Sequence, residues 1–100
     1  MFAVIYTFKV KPMFDSEFQE FWHEGTLRIR QERNSLGSRL HKISDGQFVA
    51  YAQWRSRDDW ENPPPSSPDL KGVLTKMHNC LSECKVSFAF EVVDDLLLQK

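Results

Sequence analysis

The chain has 100 residues, the size of a single domain, which excludes a multidomain machine. Its composition, 41% hydrophobic and 27% charged, is that of a folded domain and excludes a disordered chain. A net charge of -1 provides no basic field for nucleic acid or anionic membranes, and no apolar run approaches the roughly 18 residues of a membrane span. We expect one domain over residues 1–100, in the cytoplasm, with no nucleic-acid or membrane partner.

The first third of the chain predicts a strand followed by an amphipathic helix. Residues 2–11 alternate and are rich in β-branched and aromatic types, which is typical of a strand. From Asp15 the apolar spacing changes to three and four, which predicts a helix to about Asn34. Ser16 and Gln19 have the spacing of a capping box at its start. One face of the strand carries Phe2, Val4, Tyr6, Phe8 and Val10.

The middle of the chain predicts a hairpin and a short helix. Asp45-Gly46 is a strong hairpin signal between strands at 38–44 and 47–55. Residues 56–61 fit one helical turn with a serine cap, which a run of three prolines then ends.

The last third predicts a second long helix and a final strand. Ser67 and Pro68 fit a helix cap and first helical residue, and an apolar stripe extends the helix to about Cys84. Residues 85–93 alternate again, as in a strand. The order β-α-β-β-α-β predicts a ferredoxin-like α+β fold, in which a four-stranded antiparallel sheet carries both long helices on one face.

The other face of this sheet is expected to be too apolar for water, because the helices shelter only one face. We expect a second copy of the chain to cover it in a two-fold homodimer, and a ligand surface is the alternative. The residues assigned to that face are Ala3, Ile5, Ala89 and Val93, with either Val49 and Tyr51 or Phe48 and Trp54 from the third strand.

Two side chains are candidates for catalytic chemistry. Tyr6 lies mid-strand on the helix side and is either a core tyrosine with its hydroxyl at a pocket rim or a ligand contact. His78 lies near the edge of the second helix's apolar stripe. It is either a general base, since imidazole transfers protons near neutral pH, or a partly exposed helix histidine. We predict Tyr6 and His78 as catalytic residues.

Aromatic side chains could also line an apolar pocket for a planar ring, although the same residues could simply form the core. Cys80 and Cys84, one helical turn apart, favour core thiols over a metal pair, so we predict no metal site. The predicted pocket residues are Phe8, Phe18, Phe21, Trp22, Trp54, Trp60 and Met77.

A family resemblance is carried by three segments: Phe2 to Pro12 (FAVIYTFKVKP), Leu36 to His41 (LGSRLH) and Val49 to Trp60 (VAYAQWRSRDDW). Together they resemble the antibiotic biosynthesis monooxygenase domain of the dimeric α/β-barrel superfamily. The resemblance implies two sheets packed face to face in a homodimer, with a pocket between sheet and helices in each subunit. It also implies oxidation of phenols or quinols by O2 without metal or flavin.

The superfamily also contains haem-degrading enzymes, whose site uses an asparagine in the first strand and a tryptophan and a histidine in the last long helix. His78 matches that histidine, but Tyr6 stands near the asparagine position and Pro68 near the tryptophan, which argues against haem degradation. Many relatives also carry a histidine in the short helix after the third strand, and residues 60–65 contain none.

We therefore predict a cofactor-independent monooxygenase that acts with O2 on a small aromatic or quinol-like substrate. The alternative is a non-catalytic or stress-associated dimer that holds a small ligand in the same pocket. An RNA-recognition module shares the element order, but the basic flank that such a module needs is missing.

Overall fold

The computed structural model describes residues 1–97, which form four strands and three helices. The elements in chain order are β1 (Phe2–Val10), α1 (Asp15–Glu32), β2 (Ser35–Ser44), β3 (Gln47–Trp54), α2 (Arg57–Glu61), α3 (Pro68–Asn79) and β4 (Leu81–Glu91). The strands form one antiparallel sheet in the order β2-β3-β1-β4. This confirms the predicted ferredoxin-like α+β fold.

The sheet has an inner face towards the helices and an outer face on the opposite side. β1 and β3 pair without interruption from Phe2 opposite Trp54 to Lys9 opposite Gln47. Phe48 and Trp54 are buried on the inner face, so the open alternative for the third strand is decided. Val49 and Tyr51 take the outer face, because successive side chains alternate across a strand.

A bulge in β4 reverses the alternation expected for that strand. Ile5 pairs with Phe88 but Tyr6 pairs with Val86, so Ser87 is an extra residue between the two pairs. Beyond the bulge, Phe88 stands beside Ile5 on the outer face.

The bulge makes the assignment of Ala89 to the outer face wrong. Ala89 pairs with Val4 and packs with the inner-face residues Phe2, Val4 and Trp54. Phe90 takes the outer position opposite Ala3 instead. The expected outer face is therefore present, but β4 contributes Phe88 and Phe90 to it rather than Ala89.

The inner face holds the core, in which Phe18 of α1 is central. Its ring centroid lies 5.1 Å from that of Phe8 and 5.1 Å from that of Phe48, and the rings are tilted. Met77 and Cys80 close the same cluster from the α3 side. These contacts fix α1 and α3 over β1 and β3.

The predicted extension of the second long helix to Cys84 is wrong. The helix ends at Asn79, Cys80 is its buried C-cap residue, and Cys84 is exposed in β4. Leu81 continues the helical spacing in sequence, but it pairs with Val10 at the start of β4. Strand pairing with β1 therefore overrides the local helical period, and the two cysteines do not share a helix.

The predicted N-terminal caps are confirmed in two of the three helices. Ser56 accepts a hydrogen bond from the Asp59 backbone N–H, and Ser67 accepts one from that of Leu70, which confirms both predicted serine caps. The capping box in α1 is wrong, because this helix begins at Asp15. No helix among the described residues is long and apolar enough to cross a membrane.

Truncating the central core ring tests this packing. We expect Phe18→Ala to lower the free energy of unfolding by about 3 to 5 kcal/mol, because Phe18 is fully buried between two other rings. Urea denaturation measures the change. Phe14→Ala is the control in the same helix region; Phe14 is 37% exposed, and we expect a loss under about 1 kcal/mol. Equal losses in the two variants would contradict the described core.

Candidate functional site

A pair of aromatic side chains meets over the middle of the sheet. Tyr6 lies in β1 between two small or short partners, Ala50 of β3 and Val86 of β4. Trp60 of α2 contacts Tyr6 from the helix side of the sheet. The Trp60 indole Nε1–H donates a hydrogen bond of 2.9 Å to the Tyr6 hydroxyl oxygen. Because that oxygen accepts from Trp60, the phenolic proton remains available to a further acceptor.

Burial keeps the Tyr6 phenol protonated. Desolvation raises the pKa of Tyr6 above its ordinary value of 10.0, and it outweighs the hydrogen bond from Trp60, which lowers that pKa. The Cys84 thiol raises the pKa slightly and the Arg33 charge lowers it slightly. At neutral pH Tyr6 is therefore a hydrogen-bond donor rather than a base.

Trp54 places a second donor in the same cluster. Its side chain is 5% exposed and packs with Phe2 and Val4 in one buried cluster. Tyr6 and Trp60 pack against this cluster. Its indole Nε1–H is buried and has no hydrogen-bond partner among residues 1–97. A buried donor left unpaired costs about 1 to 3 kcal/mol, so this N–H is suited to an acceptor supplied by a ligand.

Arg33 brings positive charge to this region from the end of α1. Its guanidinium donates to the Ser66 hydroxyl, and its Nε is buried without a partner among the described residues. The neighbouring Glu32 carboxylate accepts hydrogen bonds from the Ser67 backbone N–H at 3.0 Å and the Ser67 hydroxyl at 2.7 Å. These bonds lower the pKa of Glu32 and tie the end of α1 to the start of α3.

We use the name inner hollow for the region of the inner face around the Tyr6–Trp60 hydrogen bond, with Trp54 of the same cluster and Arg33, whose charge lowers the pKa of Tyr6. The sequence analysis identified its three aromatic members but not Arg33. The basic residues at the end of this helix are equally expected from the helix dipole, so sequence alone offers no signal that separates Arg33 from Arg28 or Arg30.

The other predicted pocket residues belong to the adjoining core cluster, which Tyr6 also contacts, since its ring stacks on that of Phe8 with centroids 6.2 Å apart. Phe8, Phe18 and Met77 are buried together and fill space between sheet and helices. Phe21 and Trp22 are partly buried and pack against the same cluster.

His78 lies on the exposed part of α3, directly after the buried Met77. No side-chain hydrogen bond joins it to Tyr6 among the described residues. Its predicted role as general base stays a prediction.

A groove lies at the outer side of the sheet. Its volume is about 850 Å³, and it lies between α1 and the outer faces of β2 and β3. Its lining includes Trp22 and the basic side chains Arg30 and Arg39. Within residues 1–97 no group of three or more His, Cys, Asp or Glu side chains could hold a metal ion.

Comparison with known proteins identifies the family. The model of the antibiotic biosynthesis monooxygenase family matches residues 1–62. The chain belongs to that family. This confirms the resemblance found in the sequence, and the match covers β1, α1, the β2-β3 hairpin and α2. Comparison with curated proteins finds no match.

Solved structures of similar fold come from several bacteria. SnoaB of Streptomyces nogalater, a cofactor-independent oxygenase, has a TM-score of 0.76 at 16% identity, covering 95% of each chain. A family protein from Bordetella bronchiseptica also has a TM-score of 0.76, at 17% identity, covering 92% of this chain and 96% of its own. Rv0793 of Mycobacterium tuberculosis has a TM-score of 0.72 at 20% identity, covering 96% and 98%. At these identities the similarity shows the fold.

Ultraviolet titration of the phenols tests the electrostatics of the inner hollow. The chain has 2 tyrosines, so Tyr51→Phe leaves Tyr6 as the single phenol. In that background we expect ionisation above the ordinary pKa of 10.0. Adding Trp60→Phe should raise the pKa further, because the indole N–H stabilises the phenolate. Circular dichroism checks that the fold persists, and an unshifted or lowered pKa in the Tyr51→Phe protein would contradict the geometry.

Proposed function

We propose that the protein is a cofactor-independent monooxygenase that oxidises a small aromatic or quinol-like substrate with O2 in the inner hollow. The observation that carries the proposal is a buried aromatic cluster in which the Tyr6 hydroxyl and the Trp54 indole N–H each keep a proton that has no acceptor among residues 1–97. Family membership and the similar fold of SnoaB, described as a cofactor-independent oxygenase, support the same chemistry.

The donors suit the charge that develops in such a reaction. A phenol gives electrons to O2 readily only after it loses its proton, so the site must stabilise an oxyanion. The Tyr6 hydroxyl can donate to that oxygen, and the Trp54 indole N–H is a second donor in the same aromatic cluster. Because these donors are already held in place and partly desolvated, they stabilise the anion more than water would.

The reaction balances without an external reductant. In a substrate with a CH2 group activated by the phenol, two C–H bonds break and one C=O bond forms. One atom of O2 enters the product as that carbonyl, and the other leaves as water with the two hydrogens. The substrate supplies all four electrons that O2 accepts, so the protein's task is to bind, exclude water and stabilise charge.

We keep His78 as the candidate base that removes the substrate proton. Because its ring is exposed, it would exchange the proton with solvent after each turnover. Tyr6 cannot take this role near neutral pH, because its pKa is raised and the phenol is already protonated.

Oxygen uptake with a tricyclic anthrone tests the proposal. We expect Tyr6→Phe to lower kcat by about 100-fold, the usual effect of removing one oxyanion donor. Tyr51→Phe is the matched control, because Tyr51 lies on the outer face, and it should retain the wild-type rate. Uptake that is unaffected by Tyr6→Phe would contradict the role given to the inner hollow.

The same assay separates the candidate base from the donors. If His78 is the base, His78→Ala should lower uptake, and added imidazole should restore it because the site of the missing ring is open to solvent. Tyr6→Phe should not respond to imidazole. A wild-type rate in His78→Ala would mean that the substrate proton passes directly to solvent. His78 would then have no role in the mechanism.

The exposure of His78 also favours the second candidate function, a dimer that binds an aromatic ligand without oxidising it. In that case the donors of the inner hollow hold a phenol or carbonyl oxygen of an unreactive molecule. Recovery of the bound anthrone intact after prolonged aerobic incubation, with no oxygen uptake above the buffer rate, identifies this function.

We also propose that a second copy covers the outer face in a two-fold dimer. Phe88 is 64% exposed and Phe90 40% exposed, side by side with Ile5 and Ala3. Two exposed phenylalanines on one sheet face are unfavourable in water and are typical of an interface. Pairing with a second copy of the chain is the simplest way to bury these side chains, because each copy presents the same apolar strip to the other.

Light scattering tests the dimer. We expect twice the chain mass of 11.8 kDa for the wild type and a shift towards 11.8 kDa for Phe88→Asp, because a carboxylate buried between two sheets is strongly unfavourable. Phe14→Asp, at a partly exposed phenylalanine beside α1, is the control and should leave the mass unchanged. A wild-type mass of one chain would contradict the proposed pairing.

A further inference from the structure

We infer that residues 92–97, the segment that follows β4, bind in the outer groove of a second copy of the chain. In that contact Asp94 and Asp95 of one copy pair with Arg30 and Arg39 of the other. The inference rests on the proposed dimer and adds the charged contact that fixes how the two copies are arranged. It involves no substrate, so it is independent of the oxygenase chemistry.

The outer groove, which is the groove of about 850 Å³ between α1 and the outer faces of β2 and β3, is positively charged. Arg30 and Arg39 line it together with His23 and His41, and none of the described residues that line it is an Asp or a Glu. The whole chain has 14 acidic residues against 13 basic ones. A groove with two arginines and no lining acid is therefore a local excess of positive charge, which suits an acidic partner.

The two arginines of the outer groove come from different elements. Arg30 of α1 lies along β2, since a Cβ at Gly37 would be 3.9 Å from its Cδ. Gly37 has a φ of +113, which reserves this position for glycine. Arg39 of β2 stands on the outer face beside its strand partner Tyr51. Neither arginine belongs to an ion pair within residues 1–97, so both can accept a carboxylate from another chain.

The outer groove is continuous with the apolar strip that we propose as the dimer interface. Tyr51 and Ile5 both line the groove, and they are partners across β1 and β3. Ile5 in turn pairs with Phe88, whose side chain is 64% exposed. A second copy that covers Phe88 is therefore brought to the edge of the groove.

Segment 92–97 has the composition that the outer groove requires. Asp94 and Asp95 are exposed and belong to no ion pair in the part of the chain that the structure describes. Val93 is 93% exposed and Leu96 is 89% exposed. The segment thus offers two carboxylates to the arginines and two apolar side chains to the apolar lining of the groove, which includes Leu27.

In the single chain the segment crosses the outer face without completing these contacts. Leu97 lines the outer groove of its own chain, although β4 and β2 are the opposite edges of the sheet. Three strand spacings amount to about 14 Å and six extended residues span about 20 Å, so the segment is long enough for this crossing. Pairing of outer faces places the segment between two sheets. The groove of the second copy then supplies the charged partners that the segment lacks in its own chain.

Two charge-reversed variants test the inference. The groove variant is Arg30→Glu with Arg39→Glu, and the segment variant is Asp94→Lys with Asp95→Lys. Each variant brings like charges together in its own dimer, so we expect the dimer dissociation constant at low salt to rise at least about tenfold in each. Analytical ultracentrifugation measures this constant. All four side chains are exposed, so the fold should persist, which circular dichroism checks.

A third variant controls for net charge. Lys71→Glu with Lys76→Glu changes the net charge by the same amount as the groove variant, at two exposed bases of α3 on the helix side of the sheet. It should dimerise with the wild-type dissociation constant.

Mixing the groove variant with the segment variant shows which chain supplies the segment. In a mixed dimer the acidic segment meets an arginine groove and the lysine segment meets a glutamate groove, so both contacts become attractive. We expect mixed dimers to exceed the half that random pairing gives, as counted by native mass spectrometry. A contact within one chain cannot be repaired by mixing, because each variant carries like charges in its own groove and segment.

The outcomes separate this inference from the proposals on which it borders. Random pairing of the two variants, or a wild-type dissociation constant in either one alone, overturns the inference while the dimer stands. A wild type with the mass of one chain overturns the dimer and the inference together. Oxygen uptake is not measured in these experiments, so none of these results bears on the oxygenase function.

Discussion

Strand β1 presents apolar side chains to both sides of the sheet, and the helices can shelter only one of those sides. Phe2, Val4 and Phe8 face the helices and are buried. Ile5 faces the other way, towards Phe88, which stays largely exposed in the single chain. The helix side supplies the core and the inner hollow, whereas the opposite side is the surface that we propose a second copy covers. One central strand thus organises both the proposed site and the proposed assembly.

The inner hollow has more hydrogen-bond donors than acceptors. Trp60 donates its indole N–H to the Tyr6 oxygen, and within residues 1–97 the phenolic proton, the Trp54 N–H and the Arg33 Nε–H have no acceptor. Burial keeps the phenol neutral by raising its pKa, so the tyrosine remains a donor over the physiological range. Such a site favours a ligand with negative charge on oxygen, which is the form of a phenol that reacts with O2.

The rigid connections around the hollow come from the helix ends. Ser67 both caps α3 through the Leu70 N–H and donates its hydroxyl to Glu32 of α1. Asp15 at the other end of α1 accepts from the Gly46 backbone N–H in the β2-β3 turn, and it pairs with Lys42 at 3.2 Å. Both ends of α1 are therefore tied to neighbouring elements, and the side chains at its C-terminal end are held over the sheet.

The elements with strong local signals could be predicted from the sequence. The alternation in β1, the Asp45-Gly46 turn and the serine caps of α2 and α3 depend on side chains close together in the chain, and the structure confirms them. The capping box in α1 fails because Asp15 starts the helix and its carboxylate contacts a turn 31 residues away. The predicted end of α3 fails because Leu81 fits the helical period but pairs with Val10.

The sequence by itself determined the element order, the family and the aromatic residues Tyr6, Trp54 and Trp60, because these depend on residue type and near-neighbour spacing. Only the tertiary structure decided which side of the sheet Ala89 and Phe88 take, because one extra residue at Ser87 reverses the alternation and leaves no mark in the hydrophobic pattern. It also decided the surroundings of Arg33, which donates to the Ser66 hydroxyl and whose charge lowers the pKa of Tyr6. An arginine at a helix end is equally expected from the helix dipole, and these interactions arise only when distant segments pack together.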